Sequence, residues 1–231
     1  MKNYDVAIVG AGPGGIYAAY ELIKKNPALS VVVLEAGHSL EKRHCPIDGK
    51  KIKSCISCKS CSIMSGFGGA GAFSDGKYNI TNDFGGTLYE YIGKEEALSL
   101  MKYVDEINME HGGEVTRLFS TAGTKFKKLC MQNRLKLLDA SVRHLGTDIN
   151  YVVLENLYAK LKEEVDFQFD TAVEKIEILG RRETKASGEE KTKAEAMLSK
   201  MDCDGFVLHT KKEKFYAKKC IVSVGRSGSK W

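Results

Sequence analysis

The first thirty-five residues constrain this chain more tightly than any other stretch. Asp5-Val-Ala-Ile-Val9 is a short, nearly continuous apolar run, the pattern of a parallel strand buried on both faces. Gly10-Ala-Gly-Pro-Gly-Gly15 follows at once, and Gly10, Gly12 and Gly15 keep the GxGxxG spacing. Gly10 permits the tight turn out of the strand, Gly12 lets backbone approach a pyrophosphate, and Gly15 lets the next helix pack closely on the strand. Pro13 and Gly14 lie between them, so the whole turn is the expected contact surface. A helix through IYAAYELIKK should end near Asn26-Pro27, with its N-terminal amides and dipole facing the phosphates. Val31-Val-Val-Leu34 reads as a second strand, and it ends on Glu35, twenty residues past Gly15, where ribose hydroxyls need an acceptor. A lone GxGxxG says little. Strand, glycines, helix, strand and terminal acid in register indicate a dinucleotide site, against the alternative of a glycine turn that binds nothing.

The 231 residues suffice for one large domain or one and a half, and 43% hydrophobic with 28% charged residues is an ordinary globular composition. The net charge of +5 is mild and the lysines are dispersed, so nucleic acid is not expected as a partner. No apolar run reaches the roughly 18 residues of a membrane span, and the N-terminus does not read as a signal peptide. The expectation is a cytoplasmic protein with no membrane partner.

Residues 64–77, MSGFGGAGAFSDGK, hold Gly66, Gly68, Gly69, Gly71 and Gly76 within eleven positions, too many for a helix or regular strand. Such backbone suits close contact with a flat ligand or a phosphate. Ser74, Asp75 and Lys77 would supply polar contacts, and the apolar Met64, Phe67 and Phe73 argue against a solvated linker. Just upstream, Cys45, Cys55, Cys58 and Cys61 crowd into seventeen residues, while Cys130, Cys203 and Cys220 are scattered. Four clustered thiols could hold zinc or an iron–sulfur cluster. They could also form a redox disulfide, or be inert thiols in an insertion; spacing alone leaves these open.

VAIVGAGPGG, the CP…C..C..C run before GFGGAGAFSDGK, RHLGTD (Arg143 to Asp148) and IVSVGRSG together resemble an FAD-dependent dehydrogenase/oxidoreductase family of the glutathione-reductase-type (two-dinucleotide-binding) flavoprotein fold. The resemblance covers most of the chain, and GGAGAFSDGK is its most specific part. It implies that Gly10, Gly12, Gly15 and Glu35 are FAD ligands and that Gly68, Gly69, Ala70, Gly71 and Ser74 lie near the flavin or its pyrophosphate. Gly225 would pass close to the cofactor and Arg226 would contact phosphate. The implied activity is an FAD-dependent oxidoreductase of unknown substrate, with NAD(P)H as a conceivable electron donor. This chain would be its N-terminal part, because the family continues well beyond Trp231. Rival readings are a dinucleotide-binding protein with a structural or sensing role, and an electron-relay module with a cysteine-bound cluster.

The expected fold is α/β. A Rossmann-like FAD/NAD(P)-binding segment with cysteine- and glycine-rich loops would span 1–92. A helical insertion would span 93–164, and a β-meander with a strand returning to the parallel sheet 165–231. Stripes at Ala97–Ile107, Leu135–Leu145 and Leu154–Leu161 predict helices, the last capped by Asp148 or Asn150. Val165–Phe169, Ile176–Ile178, Gly205–Thr210 and Lys214–Ala217 predict an antiparallel meander, and Cys220–Val224 a separate buried strand. Residues 181–200 read as an exposed polar insertion. His144 is more plausibly a satisfied polar residue than an acid or base, so no catalytic residue is named.

Overall fold

The computed structural model describes residues 2–58, 60–180 and 203–225, so the expectations for 181–200 and for Arg226 lie outside the described residues. The chain forms two compact units, Met1–Ala72 with Leu157–Trp231, and Phe73–Asn156. These limits differ from a division at 92 and 164.

The first unit begins with β1 (Lys2–Val9), α1 (Pro13–Lys25) and β2 (Val31–Leu34), as the apolar pattern demands. The second unit carries β3 (Lys77–Ile80), the single turn α2 (Tyr89–Ile92), α3 (Lys94–Glu110), β4 (Leu118–Ser120), α4 (Lys125–Gln132) and β5 (Ser141–His144). α5 (Gly146–Leu161) starts in the second unit and ends in the first. β6 (Val165–Gln168), β7 (Val173–Leu179), β8 (Gly205–Thr210) and β9 (Lys214–Val222) complete the first unit.

Its sheet runs β6-β2-β1-β9-β8-β7. β6, β2, β1 and β9 are parallel neighbours, and β7, β8 and β9 form the antiparallel meander. Two expectations are corrected. Val165–Phe167 does not join the meander; it pairs in parallel with Val31–Val33. Lys214–Ala217 and Cys220–Val222 are one continuous strand, because the same residues that pair with β8 also pair with β1 from Lys2 onward. The tail of that strand is not buried: Val222 is 53% exposed. Ala7 and Val9 of β1 pack with Phe206, Leu208, Phe215 and Ala217 of the meander. Ile8 faces α1, where Gly15 lets the helix sit close.

In the second unit β3, β5 and β4 form an antiparallel sheet. The Leu135–Leu145 stripe is not a helix. Residues 135–140 have no regular secondary structure, with the Thr121 hydroxyl donating to Leu138 O at 2.8 Å and accepting Ala140 N at 2.9 Å. β5 then takes ladder partners on both sides. α5 starts at Gly146, so Asp148 and Asn150 lie inside it rather than capping it. Asp105 and Arg143 form a buried two-armed ion pair at 2.6 and 2.8 Å, and Arg143 also donates to Thr116 O.

Candidate functional site

The turn after β1 is fixed by contacts that leave no room for side chains at most of its glycines. A Cβ on Gly10, whose φ is +101°, would meet Ser223 O at 2.4 Å; one on Gly15 would meet Gly10 O at 2.0 Å. One on Gly14 would meet the side chain of Ser223, whose hydroxyl lies at 2.5 Å. Gly12 differs. Its φ is −75°, and the nearest atom to a Cβ there is Gly69 Cα at 4.0 Å. The protein's own packing does not require a glycine at that position. Space in front of a glycine at the N-terminus of a thirteen-residue helix is what an approaching pyrophosphate would require.

Glu35 stands at the end of β2, as expected, and is only 7% exposed. Its carboxylate is also a structural clasp. Oε2 accepts Ala11 N at 2.7 Å, and Oε1 accepts Gly37 N at 2.8 Å and Gly66 N at 2.9 Å. One anion thus ties the β1 turn, its own strand end and the second glycine-rich loop. A carboxylate can accept about four hydrogen bonds, so acceptor capacity remains for a ribose hydroxyl.

The second glycine loop is seated on the first. Gly68 N donates to Ala11 O at 2.8 Å and Phe67 N to His38 O at 3.0 Å. Gly69 (φ +58°) lies against Gly12 and Pro13, and Gly71 against Pro13. Residues Gly69–Phe73 form a short 3-10 turn. Phe67 is fully buried among Tyr158, Phe167 and Phe169, its ring 4.9 Å from Tyr158, which anchors the loop. Met64, by contrast, is 54% exposed.

The structure therefore gathers Gly10, Gly12, Pro13, Gly14, Gly15, Glu35, Gly68, Gly69, Ala70 and Gly71 within the first unit. Ser74 belongs to the second unit, where its hydroxyl accepts Gly76 N at 3.3 Å. After β9, Ser223 N donates to Val9 O at 2.8 Å, which carries the chain past Gly10 toward Gly225. His144 closes β5 and is exposed.

All seven cysteines are free thiols. Cys45, Cys55 and Cys58 are exposed and Cys61 is half-buried. Among the described residues no group of three or more His, Cys, Asp or Glu side chains is placed to hold a metal, so the zinc or iron–sulfur reading of Cys45, Cys55, Cys58 and Cys61 finds no support.

Arg43 has a place that spacing gave no reason to expect. It is 2% exposed and its guanidinium donates to three backbone carbonyls, Ser62, Ile63 and Phe67. Burial pulls its pKa down, and the nearby charge of Glu35 opposes that pull. Its sequence signal is faint: one arginine in a lysine-rich stretch between the acid and the glycine loop.

Residues 8–40 match the family model of the NAD(P)-binding Rossmann-like domain. The chain carries a Rossmann-like fold. A search of the curated proteins found no match. Among solved structures, glycine oxidase from Geobacillus kaustophilus is 18% identical with a TM-score of 0.48, over 96% of this chain and 55% of that one. NikD, described as an unusual amino acid oxidase essential for nikkomycin biosynthesis, is 12% identical with a TM-score of 0.46, over 96% and 51%. p-Nitrophenol 4-monooxygenase PnpA from Pseudomonas putida DLL-E4 is 17% identical with a TM-score of 0.43, over 96% and 41%. Likenesses this distant carry no argument about chemistry. The chain spans about half the length of the first two structures it matches. Among the described residues no helix is long and apolar enough to cross a membrane.

Proposed function

We propose that this chain is the dinucleotide-holding part of an FAD-dependent oxidoreductase. The observation that carries the reading is that Gly12, at the α1 N-terminus, is a glycine the protein's own packing does not require: a Cβ there would meet nothing nearer than Gly69 Cα at 4.0 Å. FAD is favoured over a nicotinamide by the path of the chain. After Glu35 it leaves for the cysteine- and glycine-rich loops and a second unit before α5 and β6 bring it back beside β2, and β9 then pairs with β1. The family resemblance of GGAGAFSDGK points the same way. In this reading Gly10–Gly15 and α1 face the pyrophosphate and Glu35 accepts a ribose hydroxyl. The Gly68–Gly71 turn covers the phosphate side. When bound, the flavin would supply hydride or electron transfer; this chain's residues bind and orient it. NAD(P)H is a candidate electron donor.

Paired alanine substitutions test the reading. Gly12→Ala should leave unfolding free energy within about 0.5 kcal/mol of the parent yet weaken FAD binding at least tenfold by flavin-fluorescence titration. Gly15→Ala should destabilise the fold itself, by several kcal/mol, because its Cβ would overlap a carbonyl oxygen. A parent protein that binds no FAD, or a Gly12→Ala variant that binds it normally, removes the proposal.

A further inference from the structure

We propose that Arg43 is a positioning residue for the cofactor's phosphates: it holds the second glycine loop over the first without touching the ligand. The inference rests on the dinucleotide reading above. Between Cys61 and Gly68 the backbone is gripped from two sides. Arg43 Nε donates to Ser62 O at 2.9 Å, one terminal nitrogen to Phe67 O at 2.6 Å and the other to Ile63 O at 2.9 Å. Glu35 takes Gly66 N from the opposite charge side. The geometry is tight: a Cβ on Gly66 (φ +117°) would meet His38 O at 2.6 Å and Arg43 Cδ at 2.7 Å, and one on Gly37 would meet Gly66 N at 2.4 Å. Directly beyond this clamp come Gly68, bonded to Ala11, and Gly69, lying on Gly12 and Pro13. The clamp therefore fixes how the second glycine turn lies against the first, and so the shape of the joint rim that a pyrophosphate would approach.

Three carbonyls around one buried cation is a task for a planar fork of donors. A buried charge is tolerated only where it is fully hydrogen-bonded. A lysine brings a compact ammonium that cannot span the same three carbonyls. Arg43→Lys thus keeps the charge and removes the spacing. The Glu35 carboxylate, which serves the ribose, keeps its bonds to Ala11 and Gly37 in either case.

The test separates phosphate from ribose. The full chain and its Arg43→Lys variant are titrated with ADP and FAD by calorimetry and with adenosine by ligand-observed NMR, with thermal melts alongside. The expected result is at least a tenfold loss of ADP and FAD affinity with adenosine affinity within twofold. A general structural role would lower all three together. Equal losses, or no loss, in a folded variant overturn the role of Arg43. Should Arg43→Lys fail to fold, Gly69→Ala reports from the far end of the same loop, where a Cβ would press on Gly12 Cα at 3.1 Å. The same phosphate-selective loss supports the proposal, and a parallel loss of adenosine overturns it. A parent chain that binds neither ADP nor FAD sinks the dinucleotide reading itself, and this inference with it.

Discussion

Burial sorts the thiols more sharply than spacing does. Cys45, Cys55 and Cys58 are exposed, whereas Cys220 sits mid-strand in β9, and burial pushes its pKa up to about 11. A thiol raised in this way stays protonated in the folded protein while the unfolded chain ionises near about pH 8.5. Its contribution to stability is therefore complete below that pH and is lost as pH climbs toward 11. Iodoacetamide followed by site-resolved mass spectrometry should label Cys45, Cys55 and Cys58 first and Cys220 last at pH 8, with the gap closing as pH nears 11. Equal labelling rates at pH 8 would refute the assignment. Glu35 was fully legible as the acid that ends β2, because strand, turn and helix lengths fix where it must fall. Its grip on three backbone amides was not legible, since Gly37 and Gly66 reach it only through the folded path of the loop.

Elements whose apolar periodicity matched the face they bury could be read directly, such as β1, α1, β2 and α3. The Leu135–Leu145 stripe failed because helical spacing is also satisfied by chance in a loop and a strand, and Thr121 together with the β3 and β4 ladders claimed its backbone. β9 read as two strands because the exposed Lys218-Lys219 pair interrupts its apolar pattern. The Asp105–Arg143 pair joins α3 to β5, elements 38 residues apart, and neither residue advertises the other. Removing one partner of a buried pair strands the other charge. Arg143→Ala should therefore cost about 3–5 kcal/mol in the second unit, while Lys127→Ala, which breaks an exposed pair with Asp139, should cost less than about 1 kcal/mol. Urea melts followed at a probe in that unit check both values, and similar costs for the two variants would contradict the argument.

For the molecule as a whole, the two units treat apolar surface differently. The first buries a continuous core between the meander and the parallel strands. In the second, Phe119, Phe126, Met131 and Leu135 are each more than half exposed, and α4 buries no residue. The stretch 115–138 carries Arg117, Lys125, Lys127, Lys128, Arg134 and Lys136 and no acidic residue. Exposed apolar groups beside a surplus of cations should bind an anionic apolar dye. Native protein should brighten anilinonaphthalene sulfonate, and Phe119→Ser combined with Met131→Ser should diminish that signal without altering ADP binding; absence of dye fluorescence from the parent would refute this. The continuity of β9 has a different consequence, for which changes of chain length the molecule can absorb. Its first residues are in register with β8 and the stretch from Phe215 to Val222 with β1, up to the carbonyl of Ser223 that sits against Gly10. One residue inserted after Ala217 would turn every later side chain to the opposite face and push that carbonyl about one residue along. Extra residues at the Lys211-Lys212 turn would be taken up outside both ladders. Insertions and deletions should therefore be tolerated before this strand and not within it.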